Sequence, residues 1–595
     1  MHDALRIAEI FDRVVQSLND ADRDIRTLAI LARTCKTFQE QALDTLWYQQ
    51  ESLVPLLRLM PRVLKRGYTE RRSRYSPSYI CCEDYLEGVN LWEENNIRDI
   101  QGDEKFLPGF SLPLYSATKA YRTNPESTSI PRGVVTFFVD GPTLSSERQR
   151  IREYTRRIHK FSTFSTGDSS HIYYDDTALE ALFDCHAILF PRLSDLSWPI
   201  SGIRSHQYSW FFKFLGPKLS EIHMRSLYSD HSLGARYSGQ LTKRTWKMLT
   251  SQAPGLRTLG IHCSLFPRLT PDIWPQFSAL RFVHLFVDLF DIQHWCRIAE
   301  IPNLQDLHCT FLKFSESTLK NRIEDFRCTF PYLRSFELTS NLEECVQLFG
   351  CSWFSVLENL KVSFNQTLKD YDMPDPWVPL NLLRLIPIHL HDCASTLVNL
   401  HIAGRTIFTA DYPTTEEELP SLSSATAHAL KKIMEYYPNI QYLHLDDAYF
   451  FEPDDAFLEE LAIYWPNLIK LHLDPNRWPG VFQSSETISV TLSGVFTLTQ
   501  RCPNLREVRI LLHADGSTLP TTLEYIYSPS LRILDVGKFS SIDNWEKVAA
   551  FILHRFPNIL KVEKAGIIRG IDEDDDRAQF EWGEVNRVLW ETRGD

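Results

Sequence analysis

PNLIKLHL, residues 466–473, places leucines at 468, 471 and 473 in an L-x-x-L-x-L spacing. Side chains alternate along a strand, so Leu471 and Leu473 share one face and Leu468 sits at the turn leading into it. One such strand cannot bury its apolar face alone and needs neighbours of the same kind. The chain supplies them. The pattern recurs in rungs whose first apolar residues are Leu193, Leu219, Leu256, Leu280, Leu304, Leu333, Leu357, Leu397, Ile440, Leu468, Leu505, Leu531 and Ile559. Most steps are 24 to 29 residues, with steps of 37 to 43 before Leu256, Leu397, Ile440 and Leu505. Amphipathic helices are predicted between rungs, as at 427–437 (AHALKKIMEYY) and 456–464 (AFLEELAIY), with proline then ending the helix and opening the next strand.

Units of this length, each one strand and one helix, fit a leucine-rich repeat, so the predicted class is α/β: a curved parallel sheet inside and helices outside. About three apolar side chains per rung contribute roughly 1.5 to 3 kcal/mol each on burial, and the array is stable only as a whole. At a strand spacing of about 4.8 Å the rungs make a wall roughly 58 Å long, sized for a protein partner rather than a metabolite.

Residues between the leucines face outward, on the concave side, so each rung offers its third and fifth positions and the one after. The fifth reads Ser197, His223, Gly260, His284, His308, Glu337, Lys361, His401, His444, His472, Arg509, Asp535 and Glu563, in which histidine is over-represented. From these positions the predicted target-binding residues are His284, His308, His401, Tyr442, His444, Asp446, Lys470, His472, Asp474 and Arg509. Aromatic and arginine side chains are the usual anchors of protein recognition. A sharper alternative is a metal-dependent enzyme using His444, Asp446, His472 and Asp474. Against it, side chains on adjacent flat strands do not converge as a tetrahedral site requires.

The formal net charge of −13 opposes a general nucleic-acid role, since phosphate binding rests on basic surface. No run of about 18 apolar residues marks a membrane span, and MHDALRIAEIFDR has no signal-peptide apolar core, so an intracellular protein, cytoplasmic or nuclear, is expected. The 12 cysteines lack C-x-x-C pairs and read as reduced core thiols. No P-loop, dinucleotide fingerprint, zinc-protease helix or nucleophile elbow occurs, so no catalytic residue, metal or cofactor is assigned.

Ahead of the rungs, residues 4–47 carry the spacing of two amphipathic helices broken at NDADRD, then a third short helix over 39–47. ALRIAEIFDRVVQSL and LAILARTCKTFQEQALDTLW resemble the F-box motif, in the form found in fungal proteins that continue into a leucine-rich domain. Ala8 stands where that family usually has proline. The resemblance implies an N-terminal three-helix F-box module docking on the Skp adaptor, and through it on a cullin-RING ubiquitin ligase, while the repeats hold an unknown protein substrate. Adaptor contacts carried over from the motif are Leu5, Ile7, Glu9, Ile10, Val14, Leu28, Leu31, Phe38, Leu43 and Trp47. A leucine-rich scaffold without ligase coupling is the other reading. Four segments follow: the F-box-like module (1–61), a linker and insertion (62–132) whose basic run RVLKRGYTERRSR reads as solvated, the repeat solenoid (133–563), and an acidic turn with a capping helix (564–595).

Overall fold

The computed structural model describes residues 13, 25–34, 36–60, 63–69, 104–105, 133–139, 142–162, 172–174, 176–183, 188–199, 211–225, 243–265, 271–314, 326–366, 377–406, 418–446, 453–473, 488–516, 519, 527–537, 540–563 and 573–593. The chain divides into two compact units, Met1–Asp288 and Leu289–Asp595. Among the described residues, no helix is long and apolar enough to cross a membrane.

Both units are leucine-rich ladders of parallel strands. In the second, strands Asp306–Phe314, Ser335–Ser340, Asn359–Gln366, Asn399–Thr406, Tyr442–Asp446, Lys470–Leu473, Glu507–Ile510, Ile533–Asp535 and Lys561–Glu563 pair in sequence order. Helices make most of the returns, Asp455–Tyr464 and Leu492–Arg501 among them, because parallel neighbours need a crossover. The register is the one the sequence pattern dictates: Leu443 pairs with Leu471, and Leu471 with Val508. All thirteen first apolar residues are at most 3% exposed. The second residue of each rung is free to vary because its backbone does the work. In the second unit its N–H donates to the carbonyl of the same position one rung earlier, as from Ile469 to Gln441 and from Arg506 to Ile469, both at 2.8 Å.

Large side chains clamp successive repeats together. Trp465 donates from Nε1 to the Tyr437 carbonyl at 2.8 Å, and the Tyr437 hydroxyl donates to the Ile386 carbonyl at 3.0 Å. Gly404 leaves room for one such residue: a Cβ there would lie 2.1 Å from the ring of Phe364, its register partner. Helix starts are coupled as well. The Asp455 carboxylate accepts from the Thr491 N–H and hydroxyl at 2.8 and 2.7 Å, and Thr491 in turn caps helix Leu492–Arg501.

In the first unit the ladder starts earlier than the leucine pattern indicates. Gln49–Gln50 pairs with Lys160–Ser162, which pairs with Asp195–Pro199, followed by Glu221–Arg225 and Thr258–Leu265. Trp47 and Ile158 therefore occupy the leucine positions of two further rungs and are buried there. Helices Ile25–Thr34 and Lys36–Tyr48 pack on each other, with Leu28 and Ala42 inside. Lys36–Tyr48 runs straight into the first ladder strand. Arg157, 7% exposed, ties it down through Asp44 and Glu40, the latter at 2.6 Å. Of the motif's first predicted helix, only Arg13 lies within the described residues.

Two stretches of the segment 62–132, read as linker and insertion, are described, and both are strands. Strand Val63–Thr69 pairs antiparallel with Gly133–Val139, in a four-stranded sheet with Glu104–Lys105 and Ile172–Tyr174. The strand at 133–139, expected to open the repeats, thus belongs to this separate sheet. Val63, at the start of strand Val63–Thr69, is 2% exposed. At the far end, helix Glu573–Arg593 buries Trp582, Val585 and Leu589. Its Asn586 side chain takes both backbone groups of Val562 in the last strand, accepting from the N–H at 3.0 Å and donating to the carbonyl.

Candidate functional site: the open face of the second ladder

Leucines occupy one side of each strand, so the alternate residues stand on the other in register. Along the fifth position His308, Glu337, Lys361, His401, His444, His472, Arg509, Asp535 and Glu563 are successive neighbours. Along the third, Tyr442, Lys470 and Glu507 are neighbours. The predicted residues His401, Tyr442, His444, Asp446, Lys470, His472 and Arg509 are brought together on four adjoining strands. Asp474 lies outside the described residues. His308 lies three strands before His401 and faces Glu337 at 3.6 Å, and His284 belongs to the first unit.

The three histidines form a stack. The rings of His401 and His444 lie 3.9 Å apart and nearly parallel, and His472 follows at 4.7 Å, tilted by 56°. His444 and His472 meet through their Nδ1 atoms at 2.9 Å, so one donates and the other accepts. His444 Nε2 contacts the Asp446 carboxylate, and His472 Nε2 lies 3.1 Å from Glu507 Oε1. Burial, then the charge at His444, pushes the pKa values of His401 and His472 down to about 4. Burial alone would raise Asp446, but its contact with His444 and the nearby His472 and His401 outweigh that and hold it below the ordinary carboxylate value.

Glu507 is the residue that sequence reasoning missed. Its side chain is 8% exposed and receives Lys470 Nζ at 2.9 Å, Arg509 Nε at 2.8 Å and His472 Nε2. Burial opposes its charge, yet the bonds from Lys470 and Arg509 prevail and hold its pKa at about 2. Arg509 also reaches Asp535 at 3.7 Å. The signal was present, since Glu507 fills the third position of LREVRI. What the pattern does not show is that long cations on either side fold over it.

Among the described residues, no group of three or more His, Cys, Asp and Glu side chains is arranged to hold a metal. The two imidazole nitrogens that approach each other are spent on their mutual hydrogen bond. What the face can do is present fixed charges and rings. Tyr442 and His401 are half-buried, and Lys470 and Arg509 have 47% and 37% of their side-chain surface exposed.

Of the predicted adaptor contacts, Leu28 and Trp47 face inward, and Trp47 lies 4.5 Å from the Tyr154 ring. Leu31 and Leu43 are half-buried. Leu5, Ile7, Glu9, Ile10, Val14 and the side chain of Phe38 lie outside the described residues. Ile30, not singled out by the motif, is 59% exposed on helix Ile25–Thr34.

No family model matches the chain, and no curated protein does. Solved structures that resemble it include Toll in the Toll–Spatzle complex of Drosophila, at TM-score 0.31 and 12% identity over 72% of this chain and 53% of that one. The leucine-rich repeat protein LegL7 of Legionella pneumophila matches at TM-score 0.25 and 14% identity, over 65% of this chain and 98% of that one. The ectodomain of the Arabidopsis thaliana receptor kinase GASSHO1/SCHENGEN3, solved with CASPARIAN STRIP INTEGRITY FACTOR 2, matches at TM-score 0.24 and 12% identity over 72% and 50%. The chain spans about half the length of the Toll and GASSHO1 chains.

Proposed function

We propose that the chain is a non-catalytic protein-recognition subunit whose second ladder binds a protein partner on its open face, and whose N-terminal helices couple it to the Skp adaptor of a cullin-RING ubiquitin ligase. The observation that supports recognition is the register of unlike charged and aromatic side chains from Lys361 to Asp535, held in place by one another. A protein surface can meet such an array with complementary charges, and pre-ordering lowers the entropy cost of binding. On this reading transfer of ubiquitin to the bound partner follows from proximity.

The coupling half rests on the sequence motif, with Ile30 as the exposed apolar contact. The inward orientation of Leu28 and Trp47, together with Ala8, favours the second reading, a recognition scaffold without a ligase. Co-expression of the full chain with the Skp adaptor decides between them. Coupling predicts co-elution, lost in Ile30→Asp; no co-elution of the unaltered chain, and none after Ala8→Pro, leaves the scaffold. For the recognition half, partners are captured by the full chain from its native cell with the proteasome inhibited. Tyr442→Ala combined with Arg509→Glu is expected to remove them, and retention of every partner overturns the assignment of this face.

A further inference from the structure

On the helix side of the second ladder, away from the open face, three cysteines come together from three elements. Cys296 lies on helix Ile292–Ala299, Cys328 opens the short strand Cys328–Phe330, and Cys351 follows helix Leu342–Gly350. The Cys328 thiol points at Cys296, sulfur to sulfur at 3.0 Å, although the two are 32 residues apart in sequence. Cys296 is partly exposed, and Cys328 is buried at 2%. Cys351 borders Cys328 on its other side and gives its own proton to the Leu348 carbonyl at 3.1 Å. The other described cysteines, Cys309, Cys345, Cys393 and Cys502, are buried.

We propose that Cys296 and Cys328 form a reversible dithiol–disulfide couple, in which Cys296 meets the oxidant and Cys328 resolves it. The roles follow from exposure, Cys296 being partly open to solvent and Cys328 buried, and the hydrogen bond agrees with them. Cys328 donates its S–H to Cys296, which favours thiolate at Cys296 and lowers its pKa, while Cys328 keeps its proton and its pKa is raised. A partly exposed thiolate beside a protected thiol is the arrangement that reacts with peroxides without stopping at irreversible acids. The Cys296 thiolate displaces hydroxide from hydrogen peroxide and becomes a sulfenic acid; the hydroxide takes up a proton as water. The Cys328 sulfur then attacks the Cys296 sulfur, the S–O bond breaks, and the leaving oxygen departs as water with the Cys328 proton. Two thiols and one peroxide yield one disulfide and two waters. The new bond ties a repeat helix to the outer strand that follows it.

The test is peptide mapping of the native full chain under non-reducing conditions after brief treatment with hydrogen peroxide. A peptide pair linked through Cys296 and Cys328 is expected, released by dithiothreitol, with a rise of a few degrees in thermal midpoint. Cys296→Ser is expected to abolish the link, and Cys351→Ser to keep it. In Cys328→Ser, Cys296 is expected to halt as a sulfenic acid that dimedone traps. Recovery of both cysteines as free thiols after peroxide, over-oxidation of Cys296 with Cys328 still reduced, or a link that persists in Cys296→Ser overturns the proposal. The unaltered chain alone is decisive if a variant does not fold.

Discussion

Strands Glu221–Arg225 and Glu507–Ile510 share a backbone pattern and a leucine-type core, but their open faces behave differently. Around His223 the contacts are local: its Nε2 lies 2.6 Å from Glu221 of the same strand, and its register partners are Ser197 and Gly260. The ring leans over that glycine, where a Cβ would sit 2.4 Å from Nδ1. Around Glu507 the contacts cross strands and join Lys470, His472, Arg509 and Asp535 into one network. The difference lies in the third and fifth residues of each rung. The same kind of ladder therefore carries either more local polar contacts or a pre-ordered charged surface, and the core is indifferent to which.

That indifference can be broken most directly in the core. Leu471→Ala and Leu259→Ala, both fully buried, are each expected to cost about 2 to 5 kcal/mol in denaturant unfolding. A much smaller loss at Leu259 would mean that the two regions differ in their cores and not only on their faces.

The next effect separates the faces. Glu507→Gln leaves three cationic or imidazole donors without their anion and is expected to cost about 1 to 3 kcal/mol. Glu221→Gln, with 41% of its side chain exposed, should stay within about 0.5 kcal/mol. Equal losses would dissolve the distinction between buried network and exposed local pair.

Acid should act on the network in two windows. His401 and His472 hold folded pKa values of about 4, below their ordinary 6.5, so the unfolded chain binds more protons between those values. Their contribution is complete above pH 6.5 and is lost as pH falls towards 4. Glu507, lowered from 4.5 to about 2, adds stability above pH 4.5 that disappears as pH drops through 2. Thermal midpoints measured against pH are expected to fall through both windows, and His472→Asn should flatten the upper one. An unchanged upper slope in that variant would remove His472 from the account.

A local effect concerns Gly260. Alanine there must push the His223 ring aside at a cost of about 1 kcal/mol, loosening its contact with Glu221. No change in stability would show that the ring moves freely.

Much of this fold was legible because the leucine spacing is a direct record of which side chains face inward. The alignment of His401, His444 and His472 on successive strands followed from counting positions in each rung, and the register reproduces it. Other features left no such record. Trp47 reads as a motif residue, yet it fills a leucine position in a rung too short to announce itself. Val63–Thr69 is a strand despite two basic residues in seven, because pairing with Gly133–Val139 is a long-range fact. The approach of Cys296 to Cys328, like the closing of Lys470 and Arg509 over Glu507, depends on side-chain directions that spacing does not encode.

The Asn586 amide bears on self-assembly. A parallel strand at the end of a ladder offers unpaired N–H and carbonyl groups that fit another copy as well as they would fit the next rung. By satisfying both groups of Val562 with a primary amide, which mimics one peptide unit and has no successor, helix Glu573–Arg593 acts as a chain stopper. Growth ends there for want of a further template, and one side chain keeps that end of the ladder from becoming the first layer of a fibre.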